Sequence, residues 1–121
     1  MRDHKSLLAW QEARKVVQAV FEGSRTCWKP YAAAVFAQLQ RACLSVQLNI
    51  AEGYALRSQR RFRNHLEIAY GSVVESCELL ELLVENDLLP ERLSKPALES
   101  CSRAQGLLLG LIKRYRDPEG G

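Results

Sequence analysis

Apolar residues recur along this chain at helical spacing, and no segment keeps the alternation of a β-strand. The pattern predicts four helices, at residues 7–24, 32–55, 58–85 and 91–115. Gly23 and Ser24 indicate the end of the first helix, and Ser58 is a favourable N-cap for the third. We expect the tail, residues 116–121, to be frayed.

Each predicted helix carries apolar stripes that indicate its buried face. In the first helix they are Trp10, Val17 and Phe21, and beside them Ala9, Ala13, Val16 and Val20. In the second helix the stripe is Phe36, Leu39, Cys43, Val46 and Ile50. In the third helix it is Phe62, Leu66, Ala69, Val73, Cys77, Leu80 and Val84, and in the fourth Leu93, Ala97, Cys101, Ala104, Leu108, Leu111 and Tyr115.

Short connectors between helices with such stripes predict the fold class. We expect an all-α, antiparallel up-down-up-down four-helix bundle. The sequence contains no internal repeat, low-complexity tract or linker, so residues 1–121 are predicted to form a single domain.

The helices are more apolar than one buried face requires. "ELLELLVE" (78–85) distributes leucines around much of the third helix. Gly71, Gly106 and Gly110 each cost about 1 kcal/mol relative to Ala in a helix, which close backbone approach within or between subunits would compensate. Both features favour an oligomer. The alternative is a monomer that buries both stripes of each helix.

Composition indicates an ordinary globular protein. The N-terminal segment has no signal-peptide pattern, and the apolar runs are too short to span a membrane, so we expect a cytoplasmic protein without membrane contact. The four cysteines, Cys27, Cys43, Cys77 and Cys101, lack the close pairs of a zinc site. They are predicted to be buried free thiols, with disulfide or redox roles as the alternative.

The motifs of catalysis and cofactor binding are missing from the sequence. Neither His4 nor His65 follows a Glu at the spacing used by di-metal bundles, and no phosphate loop or nucleophile elbow occurs. His65 is predicted to be a partly buried or hydrogen-bonded helix residue. We therefore expect no metal, no cofactor and no enzymatic activity.

"NIAEGYALRSQRRF" (49–62) is the most unusual stretch. Asn49 and Glu52 share one face of an apolar helix, and buried polar groups need partners. We expect a structural hydrogen-bond network there, with Arg41 or Arg57 as its partner. A ligand-facing pocket and plain solvent exposure are the alternatives.

Four arginines, Arg57, Arg60, Arg61 and Arg63, then surround the start of the third helix, where the helix dipole disfavours positive charge. Residues 1–64 carry 11 Lys/Arg against 4 Asp/Glu, whereas residues 65–121 carry 6 against 10. The candidates for nucleic-acid binding are these four arginines and Arg41. Ion pairs between helices or subunits, and a merely solvated face, are the alternatives.

Four segments carry a family resemblance: "AWQEA" (9–13), "QLQRACLSVQLNIAEG" (38–53), "RSQRRF" (57–62) and "LEIAYGSVVESCELL" (66–80). In order and spacing they resemble bacterial four-helix-bundle proteins of the 23S ribosomal RNA intervening-sequence family. The matching positions are Trp10, Gln11, Ala13, Arg41, Ala42, Ser45, Asn49, Ile50, Ala51, Glu52, Gly53, Arg57, Ser58, Phe62, Ala69, Gly71, Ser72 and Glu75.

The resemblance implies a four-helix bundle, usually assembled as a ring-shaped homopentamer in the bacterial cytoplasm, and it supplies no catalytic residues. A distantly similar bundle, the accessory protein of diversity-generating retroelements, associates with nucleic acid. This sequence departs from the family at Arg61, where a Glu would complete a capping box with Ser58, and at Tyr70, where the family often has Arg. The expected function is thus a nucleic-acid-associated accessory protein that binds RNA or DNA, with a structural or adaptor assembly protein as the alternative.

Overall fold

The computed structural model describes residues 3–115, which form four α-helices and two short 3₁₀ helices. The α-helices are α1 (Leu8–Cys27), α2 (Ala33–Ala55), α3 (Gln59–Glu85) and α4 (Glu91–Arg114). The 3₁₀ helices, His4–Ser6 and Pro30–Ala32, precede α1 and α2, and the described part of the chain contains no strand. The tail predicted to be frayed, residues 116–121, lies outside the described residues.

The predicted bounds of α2, α3 and α4 agree with the structure to within one residue. The predicted end of α1 at Gly23 and Ser24 is wrong, because the helix continues to Cys27. Gly23 is buried, and a Cβ at this position would lie 2.7 Å from Leu89 Cδ2. Gly23 is therefore a packing contact inside the helix and not a helix terminator.

Each helix packs against two others: α1 and α3 each contact both α2 and α4. Residue pairs show the directions. Gln38 bonds to Glu75 and Asn49 to His65, so α2 and α3 are antiparallel. The pairs of α1 with α4 (Glu12 with Arg103, Gly23 with Leu93) are also antiparallel. So are those of α3 with α4 and its C-cap (Cys77 with Gln105, Phe62 with Tyr115). Neighbouring helices therefore alternate in direction, as predicted.

The predicted stripes supply most of the core, with informative exceptions. Phe36, Leu66 and Leu108 are at most 1% exposed. Phe21 is 44% exposed, because α1 turns its other stripe, made of alanines and valines, towards the core. Val84 is also partly exposed, because it lies in the last turn of α3.

The structure tests one of the two close approaches expected at the helical glycines, the one within the chain. A Cβ at Gly71, Gly106 or Gly110 would meet nothing within 4 Å. Close approach within this chain therefore does not explain these three glycines.

None of the helices within residues 3–115 is long and apolar enough to cross a membrane.

Candidate nucleic-acid interface at the α2–α3 corner

Residues 56–58 connect α2 to α3 and place Arg57 in a strained conformation. Its φ angle of 53° lies in the left-handed region, which Gly or Asn adopts at lower cost after a helix. The Arg57 side chain is exposed and has an interaction of its own. The tight connector turns the chain directly into α3 and so places Arg57 next to the arginines of the first turn of α3.

The first turn of α3 begins as the sequence predicts. Ser58 is the N-cap, and its Oγ accepts a hydrogen bond from the backbone N–H of Arg61 at 3.3 Å. The side chains of Arg60 and Arg61 are exposed, and no acidic residue lies in this turn. Positive charge is therefore concentrated where the helix dipole is already positive.

No carboxylate within residues 3–115 forms an ion pair with Arg60, Arg61 or Arg63. The described ion pairs join Glu12 to Lys15 and Arg103, and Glu22 to Arg25. None of them involves Arg60, Arg61 or Arg63. Arg63 is half-buried, and its Nε has no hydrogen-bond acceptor among the described residues.

The structure does not bring Arg41 to this corner. Arg41 is 14 residues before the end of α2, which is about 20 Å at the helical rise. Its guanidinium donates to Oε1 of Gln38, with Nη2 at 2.9 Å. The arginine corner therefore consists of Arg57, Arg60, Arg61 and Arg63, and Arg41 lies outside it.

A cleft of about 600 Å³ opens beside the arginine corner. It is lined by Asp3, His4, Gly53, Tyr54, Ala55, Arg57, Ser58, Gln59, Phe62 and Tyr115. Three aromatic rings form one wall, with Phe62 edge-on to Tyr54 at 5.7 Å and to Tyr115 at 5.1 Å between ring centroids. The cleft could not be predicted from the sequence, because it combines both ends of the described chain with the α2–α3 connector.

Gly53 allows the end of α2 to approach α3 closely. A Cβ on Gly53 would lie 2.6 Å from His65 Cβ and 3.1 Å from Phe62 Cδ1. The contact with His65 Cβ is the stricter one, because that atom moves only with the backbone of α3. Glycine is therefore required where α2 and α3 meet behind the arginine corner.

Asn49 belongs to a chain of hydrogen bonds between α2 and α3. Its Nδ2 donates to the carbonyl of Ser45 at 2.8 Å and to Ser45 Oγ at 3.1 Å. Its Oδ1 lies 2.9 Å from Nδ1 of His65, and because a carbonyl oxygen only accepts, that nitrogen donates. Ser45 Oγ is 2.8 Å from Ser72 Oγ, so this chain of hydrogen bonds bridges the helices at two side-chain contacts.

Glu52 does not share this network. It is exposed, and none of the described hydrogen bonds or ion pairs includes it. The partners expected for the pair, Arg41 and Arg57, are not those of Asn49. The prediction of one buried network for Asn49 and Glu52 is therefore wrong for Glu52. Residues three apart in a helix point in directions that differ by about 60°, and this angle turns Glu52 away from α3.

At both ends of α3 the charged side chains have the same sign as that end of the helix dipole. Its last turn contains Glu85 and no basic residue, and Glu75, Glu78 and Glu81 precede it as exposed carboxylates. The helix therefore presents an arginine corner at one end and an acidic half at the other, each mildly unfavourable in an isolated chain.

The described residues contain no group of three or more His, Cys, Asp or Glu side chains arranged to hold a metal ion. All four cysteines are free thiols; Cys43 and Cys101 are buried, and Cys27 and Cys77 are partly buried. Burial raises the pKa of Cys43 to about 12.

The fold and the corner define an all-α helical bundle with a basic end. A family model for the 23S rRNA-intervening sequence protein matches residues 5–110. The chain belongs to this family, which confirms the resemblance seen in the sequence. A search of curated proteins found no match to the chain.

Proposed function

We propose that this protein is a non-enzymatic, nucleic-acid-associated accessory protein that acts as a homo-oligomer, a homopentamer, in the cytoplasm. The arginine corner binds the phosphates of RNA or DNA. The carrying observation is that Arg60, Arg61 and Arg63 cluster at the positive end of α3 without a carboxylate partner in the described chain. Positive side chains at this end of a helix are unfavourable by themselves and become favourable when they bind an anion.

The aromatic cleft favours single-stranded nucleic acid as the ligand. Proteins that bind single strands combine a basic track with aromatic rings on which unstacked bases stack. Here the half-buried rings of Tyr54 and Tyr115 adjoin Arg57 in one cleft. We expect a single strand to bind more tightly than a duplex of equal length, because its bases can reach these rings.

Exposed apolar side chains support assembly. Among residues 3–115, eleven large hydrophobic residues are at least 36% exposed. They include Ile68 on α3, Leu48 on α2, Phe21 on α1 and Trp28 after α1, at 44 to 53%. We take these side chains as candidates for subunit contacts, because interfaces between chains bury exposed apolar surface. A ring would also place several arginine corners within reach of one strand and raise a weak affinity by avidity.

The second candidate function is a structural or adaptor assembly protein. The observation that favours it is the charge division of α3, because the acidic half of one copy could pair with the arginine corner of another. In that case the arginines serve assembly and not nucleic acid.

One double variant separates the two candidates. Replacing Arg60 and Arg61 with Gln should flatten the dependence of nucleic-acid affinity on salt by about 0.7 per lost phosphate contact to single strands. The matched control replaces the exposed Arg92 and Lys95 with Gln, which removes the same charge from the opposite end of the bundle. Filter binding over a salt series should show the change in the first variant only.

Light scattering on the same samples tests assembly. The parent should have a mass several times 13.7 kDa, with five copies expected. If the Arg60 and Arg61 variant dissociates while its nucleic-acid affinity stays unchanged, the adaptor function replaces the proposed one. Undetectable binding of RNA and DNA by the parent at about 50 mM salt would refute the phosphate-binding proposal, since the electrostatic affinity is greatest at low salt.

A further inference from the structure

We propose that Cys77 and Cys101 form an oxidisable dithiol, which hydrogen peroxide converts into a disulfide that joins α3 to α4. This inference concerns a modification site and does not rest on the nucleic-acid proposal. The two cysteines lie on facing positions of adjacent antiparallel helices. The α3–α4 pairs of Phe62 with Tyr115 and of Cys77 with Gln105 place Cys101, one turn before Gln105, opposite Cys77.

Small side chains keep the two helices close at this point. Cys101 is fully buried, and Ala97, Ala104 and Ser76 beside it are at most 2% exposed. Gln105, one turn after Cys101 on α4, donates from Nε2 to Sγ of Cys77 at 3.7 Å. A disulfide requires its Cβ atoms to approach to about 4 Å, and small side chains around facing positions allow two packed helices to come this close.

The two sulfurs have different roles. The hydrogen bond from Cys101 lowers the pKa of the Cys77 thiol, although burial and the nearby Glu78 and Glu81 oppose this effect. The hydrogen bond to Cys77, together with burial, raises the pKa of Cys101. Cys77 is also the more accessible of the two, so it is the attacking thiolate and Cys101 the resolving thiol.

The reaction balances with hydrogen peroxide as the oxidant. The Cys77 thiolate attacks one peroxide oxygen, the O–O bond breaks, and hydroxide leaves, which gives a sulfenic acid on Cys77. The sulfur of Cys101 then attacks the sulfur of Cys77, the S–O bond breaks, and the proton of Cys101 leaves with that oxygen as water. Two thiols lose two electrons and one peroxide becomes two waters.

The other two cysteines provide internal controls. Cys43 is buried, its thiol donates to the carbonyl of Gln40 at 3.4 Å, and its raised pKa of about 12 makes it a poor nucleophile. Cys27 is partly buried at the end of α1, where Thr26 Oγ1 is 3.4 Å from its sulfur. Neither Cys43 nor Cys27 has both an accessible sulfur and a second thiol that faces it.

The test treats reduced full-length Cys27→Ser protein with one equivalent of hydrogen peroxide, followed by alkylation and tryptic mass spectrometry. The expected product has lost two hydrogens and links peptide 64–92, which contains Cys77, to peptide 93–103, which contains Cys101. Dithiothreitol should reverse the link. The oxidised chain should unfold at higher urea than the reduced chain, because the bridge restricts the unfolded state.

Two further samples make the result decisive. Cys101→Ala should lose the link and accumulate a sulfenic acid on Cys77 that dimedone traps, and circular dichroism verifies its fold. In concentrated urea the parent should give mixed pairings, because the fold no longer holds the two thiols together. A link from Cys43 to Cys101, bridges only between chains, or modification of Cys43 before Cys77 would overturn the proposal.

Discussion

Replacing Gly53 with Ala tests the close approach of α2 and α3 behind the arginine corner. The added Cβ would lie 2.6 Å from His65 Cβ, whereas carbon atoms without a bond prefer about 3.5 to 4.0 Å. His65 Cβ cannot rotate away, so the two helices must separate locally by about 1 Å.

The magnitude follows from two opposing effects. Overpacking of a rigid contact costs about 3 kcal/mol, at the upper end of its usual range, while Ala in place of Gly stabilises the helix by about 1 kcal/mol. We expect Gly53→Ala to lower the free energy of unfolding by about 2 kcal/mol. Gly106→Ala is the matched control, because its Cβ would meet nothing within 4 Å, and it should gain about 1 kcal/mol.

Urea unfolding at one protein concentration measures both variants, since assembly makes stability depend on concentration. The predicted difference of about 3 kcal/mol corresponds to midpoints about 2 M apart at an m-value of about 1.5 kcal/mol per M. If Gly53→Ala is as stable as Gly106→Ala to within about 0.5 kcal/mol, the argument from the contact of Gly53 with His65 is refuted.

Two further predictions concern the same region. Asn49→Ala should destabilise the protein by about 1 to 3 kcal/mol, because it leaves Nδ1 of His65 without its acceptor. Glu52→Ala should change stability by less than about 0.5 kcal/mol, and equal effects of the two variants in urea unfolding would contradict the placement of their side chains. Arg57→Gly should be more stable than Arg57→Ala by about 1 kcal/mol, since both variants lose the side chain and only glycine adopts the φ of 53° without strain. If thermal unfolding shows the alanine variant to be equally stable or more stable, the backbone at this position is not strained.

The helices themselves could be predicted because helix formation depends on neighbouring residues. The apolar stripes and the cap at Ser58 are local signals, and they located α2, α3 and α4 to within one residue. The family resemblance, which rests on the order of short motifs, is likewise a property of the sequence and is confirmed over residues 5–110. The prediction failed at Gly23, a residue type that usually ends a helix but that lies inside α1, where Leu89 leaves no room for a Cβ.

The partners of each side chain were decided only by tertiary structure. Asn49 was recognised as a residue that needs partners, but His65 becomes one of them only because α3 folds back along α2. The pair of Asn49 and Glu52 separates because one side chain faces α3 and the other faces solvent.

The cleft and the thiol pair depend on tertiary structure in the same way. Tyr115 packs against Phe62, and the register of α3 and α4 places Cys101 opposite Cys77. Periodicity shows which face of a helix is buried, but it contains no information on which residue of another helix lies opposite, because that register is set by packing between distant segments of the chain.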